Sequence, residues 1–117
     1  MAKGELEIQQ KVEDMMLYGY PLLNKFPKAE KFSLAQDIRL CMNEMLRLTI
    51  AVDKKKTKLT ALEKLDIENA ALQALIRLSK DLKYISLHTY GVWSGKLVEI
   101  GKMIGGLLKS VNNRPKS

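Results

Sequence analysis

The chain has 117 residues, 46% of them hydrophobic, and a formal net charge of +7. That length suits one domain with a single core burying about two-thirds of the unfolded surface. No apolar run approaches the roughly 20 residues of a membrane span, the opening MAKGELEIQQ has no apolar leader, and the lone Cys41 excludes an internal disulfide; a cytoplasmic, membrane-independent protein is expected.

The first predicted helix covers Glu5 to Asn24, with Val12, Met15, Met16, Gly19, Leu22, Leu23 and Phe26 at the 3–4 spacing of a buried stripe. Pro21 removes one backbone hydrogen bond inside it and should kink the helix or loosen its last turn. Lys25 to Lys31, with Pro27, reads as a loop. The second helix starts at Ser33, which has capping-box spacing to Gln36. Its stripe is Leu34, Ile38, Cys41, Met42, Met45, Leu48, Thr49 and Val52, and it ends in the dipole-complementing Lys54, Lys55 and Lys56.

The third helix is expected to open near Thr60, with Glu63 completing a second capping box. Leu62, Leu65, Leu72, Leu75, Ile76, Ser79 and Leu82 form its inner face, and Glu68 and Asn69 fall on that face as polar groups in need of partners. Ser86 is the expected cap of the fourth helix, whose stripe runs through Tyr90, Trp93, Leu97, Ile100, Ile104, Leu107, Leu108 and Val111. The tail Asn112–Ser117 is polar and expected to fray. Four helices of similar length with three short connections predict an all-α, antiparallel up-down-up-down bundle spanning residues 1–117, with Trp93 and Leu97 inward.

The outer faces are less polar than a lone bundle requires. Ile67, Ala70, Ala74 and Leu78 lie opposite the core stripe of the third helix, and Leu40, Leu46 and Ile50 lie outward on the second. Contiguous outer apolar surface marks an interface. The fourth helix carries Gly91, Gly95, Gly101, Gly105 and Gly106; Gly91/Gly95 and Gly101/Gly105 are one turn apart, a spacing that lets another backbone approach closely. Each such glycine costs up to about 1 kcal/mol relative to alanine.

No catalytic or metal-binding set is present. His88 stands alone, Cys41 lies on a core stripe, and no phosphate-binding glycine loop or Ser/Cys–base motif occurs. No cofactor is expected. The net charge, with a pI near 9.5, favours nucleic acid or an acidic protein as partner, although solubility alone also accounts for it. Arg77, Lys80 and Tyr84 fall on one flank of the third helix, with Gln73 one turn earlier, and Arg39 and Arg47 lie outward on the second. Cationic forks and a nearby tyrosine suit phosphate contact and base stacking; a solvated charged face is the competing account. The lysines at positions 54, 55, 56 and 58 form the densest cluster.

Three stretches carry a resemblance: YPLLNKFPKAEKFSLAQDIR at Tyr20–Arg39, ALQALIRLSKDLKYIS at Ala71–Ser86, and KLVEIGKMIGGLLKS at Lys96–Ser110. Together they resemble the accessory variability determinant (Avd) family of diversity-generating retroelements. That family is related to the four-helix-bundle proteins encoded in intervening sequences of 23S rRNA genes. The resemblance implies a non-enzymatic, cationic homopentameric barrel. It also implies binding to the element's reverse transcriptase and to RNA and DNA with little sequence preference, in support of mutagenic cDNA synthesis and retrohoming. The basic positions that match best are Arg77, Lys80 and Lys83, although the family is richer in arginine there. Gly91 and Gly95 join Ile67, Ala70, Ala74 and Leu78 as the expected oligomer interface. Two other readings remain open: the intervening-sequence relative, and an oligomeric scaffold for an acidic protein.

Overall fold

Among the described glycines, Gly19 is the most tightly enclosed. A Cβ built there would lie 2.6 Å from Trp93 Cζ2 and 3.1 Å from Met42 Sδ, so the missing side chain is the space the indole occupies. Around this contact, the computed structural model, which describes residues 3–112, folds four helices: α1 (Lys3–Leu23), α2 (Leu34–Val52), α3 (Lys58–Asp81) and α4 (Leu87–Asn112). There is no strand among the described residues. The tail residues 113–117, expected to fray, lie outside the described residues, while Asn112 ends α4.

Each helix packs against two neighbours, in the cyclic order α1, α2, α3, α4. Partner numbers show the directions. Along α1, Gly4 faces Leu107, Lys11 pairs with Glu99, Asp14 with Lys96, and Gly19 meets Trp93. Cys41 on α2 reaches Glu68 on α3, and Asn69 reaches Leu97 on α4. Neighbouring helices are therefore antiparallel, as the short connections require.

The 3–4 stripes become the core. All eight stripe residues expected on α2 are buried, joined by Ala35. Trp93, Leu97, Ile100 and Ile104 are buried on α4, and Val12, Met15, Gly19 and Leu23 on α1. Ile8 and Glu5 extend the α1 stripe towards its start. On α3, Glu68 and Leu75 are only half-buried, and Leu82 is exposed, at 46%. The helix stops at Asp81, and Lys83 adopts a left-handed φ of 66°. The Tyr84 N–H donates to Ser79 O and the Lys83 N–H to Lys80 O, the paired bonds of a Schellman turn. That turn swings Leu82 away from the core.

Helix starts depart from expectation at two places. Ser33 makes no cap bond; its hydroxyl bonds the Glu30 carboxylate three residues earlier. The start of α3 is Lys58 rather than Thr60, preceded by Thr57, whose hydroxyl donates to Ala51 O at 2.7 Å. Lys58 forms an ion pair with Glu5 of α1, a largely buried contact that draws the extra residues into the helix. Ser86 does cap α4, its Oγ accepting the Thr89 N–H at 3.0 Å. Pro21 leaves α1 unbroken to Leu23; the next three N–H groups, of Asn24, Lys25 and Phe26, bond three residues back, which tightens the exit.

Interior polar groups are few. Asn69 donates from Nδ2 to Leu97 O at 3.0 Å, and its Oδ1 is buried without a partner among the described residues. The Cys41 thiol donates to Glu68 Oε2 at 3.1 Å. Burial, aided by the hydrogen bond to Glu68, pushes this thiol up to about 12.

Two expected outcomes follow from these contacts. Gly105 faces open space, so Gly105→Ala should gain up to about 1 kcal/mol of helix propensity. Gly19→Ala should instead lose stability, because overpacking costs about 1–3 kcal/mol and outweighs that gain. Thermal melts of the two variants should move in opposite directions, and Trp93→Phe should recover part of the Gly19→Ala loss in a double-mutant cycle. Cys41 should resist iodoacetamide at pH 8 in the folded protein and react on unfolding. Its folded pKa exceeds the unfolded value, so its contribution is complete below about pH 8.5 and is lost as pH climbs towards 12. Melting temperature should therefore fall less between pH 8 and pH 10.5 in Cys41→Ala than in the parent.

Candidate nucleic-acid interface and outer apolar faces

The five basic residues singled out from sequence do not form one patch. Arg39 opens on the α1/α2 seam, in a groove shared with Lys28 and Lys31, and its guanidinium bonds Gln36 at 2.9 Å. Arg47 lines a different groove, between α2 and α3, 3.7 Å from Glu44 and among Asp37 and Glu68. Acidic neighbours make that second groove a poor seat for phosphate. Arg77 is exposed on α3. Lys80 is less free than expected: its side chain is 27% exposed, 3.4 Å from Asp81, with Nζ 4.5 Å from the centroid of Tyr90 on α4. Lys83 lies beyond α3, exposed at the Schellman position. A left-handed lysine costs roughly 1 kcal/mol where glycine fits freely, so the turn carries a cation at an energetic cost.

Tyr84 does not present its ring for stacking. The ring tilts against Phe26 at 5.6 Å, and the hydroxyl donates to Glu30 Oε2 at 2.8 Å. This contact ties the α3–α4 connection to the 3-10 turn Lys28–Glu30 of the α1–α2 connection. Glu30 also accepts from Ser33 Oγ and from the Leu34 N–H. The Ser33 bond, then the Tyr84 bond, hold its carboxyl below the usual range, and the Glu30 bond raises the Tyr84 phenol.

One end of the bundle thus gathers Lys25, Lys28, Lys31 and Lys83, all exposed, with Arg39 close by. Lys25, Lys28, Lys31 and Lys83 belong to no ion pair among the described residues. The three loop lysines have no helical spacing to mark them; their signal in the sequence is the density of cations in NKFPKAEKF, at Asn24–Phe32.

The outer apolar residues are exposed as their spacing indicated: Ile67 at 67%, Leu78 at 47%, Leu40 at 53%, with Ala70 and Ala74 also exposed. Leu46 is half-buried. Leu17, 76% exposed, was not anticipated; it lines an apolar groove of about 440 Å³ with Met16, Tyr20, Pro21 and Leu46 on the α1/α2 side. The glycines divide by role. A Cβ at Gly91, Gly95, Gly105 or Gly106 would meet nothing within 4 Å, while one at Gly101 would press on Asn69 at 3.2 Å. α4 runs unbroken through Gly105 and Gly106.

His88 is exposed, and no group of three His, Cys, Asp or Glu among the described residues could hold a metal. None of the described helices is long and apolar enough to cross a membrane. No curated protein matches the chain at a significant level. The family model described as bAvd-like matches residues 6–111, nearly the whole four-helix body. The chain belongs to the bAvd-like family.

Proposed function

We propose that this protein is a non-catalytic accessory factor of a diversity-generating retroelement, which binds the element's reverse transcriptase and nucleic acid and thereby supports mutagenic cDNA synthesis and retrohoming. The observation that carries the nucleic-acid part is the cationic end, where Tyr84–Glu30 joins two connections bearing Lys25, Lys28, Lys31 and Lys83. Family membership supports the retroelement context. Binding proceeds through phosphate contacts and counterion release, because lysines placed on loops supply charge without a base-reading geometry.

The same reading includes a homo-oligomer, a pentamer by analogy with the Avd family. Its support is the exposed stripe of Ile67, Ala70, Ala74 and Leu78 together with the open backbone at Gly91 and Gly95. A head-to-tail ring repeats the cationic end in every subunit, and modest contacts then add through avidity.

Light scattering at micromolar concentration should report more than a monomer, and Ala74→Arg should dissociate it with helix content unchanged by circular dichroism. A monomeric parent would remove the assembly from this reading. Affinity for labelled RNA or DNA should fall steeply with salt. Replacing both Arg77 and Lys83 by alanine should weaken RNA and DNA alike and flatten the slope by about 0.7 per lost single-strand phosphate contact. Capture of the neighbouring reverse transcriptase should persist after nuclease treatment. A parent with no salt-dependent binding would instead favour the scaffold for an acidic protein.

A further inference from the structure

The groove between the α1–α2 connection and the start of α2 is lined by three cations, one more than the acid-free recess of Lys56 and Lys64 at the α2–α3 connection. Lys28, Lys31 and Arg39 line it, over a floor that includes Leu23, Phe26 and Ala35, and no carboxylate lines it among the described residues. Its volume is about 230 Å³, below the roughly 300–1,000 Å³ of sites that enclose a drug-sized ligand. A recess this small accommodates a sugar-phosphate step but leaves a base outside. The nearest acid in sequence, Glu30, is committed elsewhere by its bonds to Ser33, Leu34 and Tyr84. The Glu30 carboxylate keeps its charge but does not line the groove, so the lining itself carries three cations and no acid.

Beside the groove stands Phe32, the most exposed large apolar residue among those described, at 82%. Lys31 connects the two features: it lines the groove, and its ammonium lies 5.4 Å from the Phe32 ring centroid. An aromatic ring held in water costs solvation, and at 82% exposure Phe32 is no part of the buried core. A cationic track next to an open aromatic face is the arrangement that single-stranded nucleic acid uses. Phosphates run along the cations, and an unstacked base lies on the ring. A duplex cannot use the ring, since its bases are already stacked.

We infer that Lys28, Lys31 and Arg39 seat the backbone of a single-stranded nucleic acid whose base stacks on Phe32. The inference rests on the nucleic-acid reading above and adds to it a strand preference and an aromatic contact. Within the cationic end, it centres binding on the α1–α2 connection.

The test uses the full chain, with fluorescein-labelled oligothymidylate and oligouridylate of about 20 nucleotides and a duplex of the same length, read by anisotropy at fixed salt. Phe32→Ala should weaken both single strands roughly tenfold and the duplex less than about twofold. Phe32→Trp should keep the affinity, and its emission should be quenched as oligonucleotide is added, against the constant background of buried Trp93. Replacing Lys28 and Lys31 together by alanine should reduce the single-strand salt slope by about 1.4. Phe32 is exposed, so melting temperatures should stay close to the parent's.

Equal losses for single strands and duplex, or no loss at all, would overturn the inference. If the parent still bound nucleic acid, the broader function would stand and only the site would fall. If Phe32→Ala lost the reverse transcriptase while keeping oligonucleotide affinity, the ring would be a protein-docking residue. A parent that bound no nucleic acid would remove both readings.

Discussion

The fit of Trp93 against Gly19 is the constraint around which the bundle is arranged. Trp93 is fully buried, meets Tyr18 edge-on at 6.5 Å, and donates its indole N–H to the Met15 sulfur at 3.4 Å. A thioether is a weak acceptor, so the indole stays because of packing more than polarity. The notch at residue 19 sets the distance between α1 and α4, and Met42 of α2 closes it from the side. Once those three helices are placed, α3 completes the ring against α2 and α4.

The remaining interior polarity sets alignment at other levels. Asn69 bonds a backbone carbonyl on α4 and lies close to Gly101, so helix register and a glycine notch are again linked. Its unpartnered Oδ1 is the one unpaired buried side-chain N or O atom among the described residues, a local cost in an apolar core. Glu5 and Lys58 act at the far end, 53 residues apart, and fasten the first turn of α3 to α1. Removing one partner of such a pair leaves the other charge poorly solvated, so each residue makes the other necessary.

The surface is organised by what the core leaves over. Packed side chains occupy one stripe per helix; the connections and outer faces are free to carry other chemistry. The α1–α2 connection carries cations, the outer face of α3 carries apolar and small residues, and the α2/α3 groove carries acids. Positive and negative regions are thus separated on a molecule of net charge +7. Exposed lysines stand at both ends, Lys25, Lys28, Lys31 and Lys83 at one and Lys54, Lys55 and Lys56 at the other, while the exposed apolar residues of α3 run along the side.

Helical spacing by itself determined most of the architecture. A period near 3.6 leaves only one way to bury the eight stripe residues of α2, or Trp93 and Leu97 of α4, and the bundle follows. The outer stripe of α3 was legible for the same reason. Only the tertiary structure decided matters that depend on distant partners. Thr60 matches a capping box, yet Lys58 starts the helix because Glu5 waits on α1. Leu82 continues the inward pattern, yet the left-handed turn at Lys83 ends the helix one residue earlier. Arg39, Arg47 and Lys80 look alike in sequence, yet they open respectively on a cationic groove, an acidic groove and the Tyr90 ring. Tyr84 loses its expected role to Glu30, and Phe32, which no period marks, emerges as the exposed ring. Periodicity encodes which face of a helix turns inward; which neighbour a surface side chain meets depends on residues dozens of positions away.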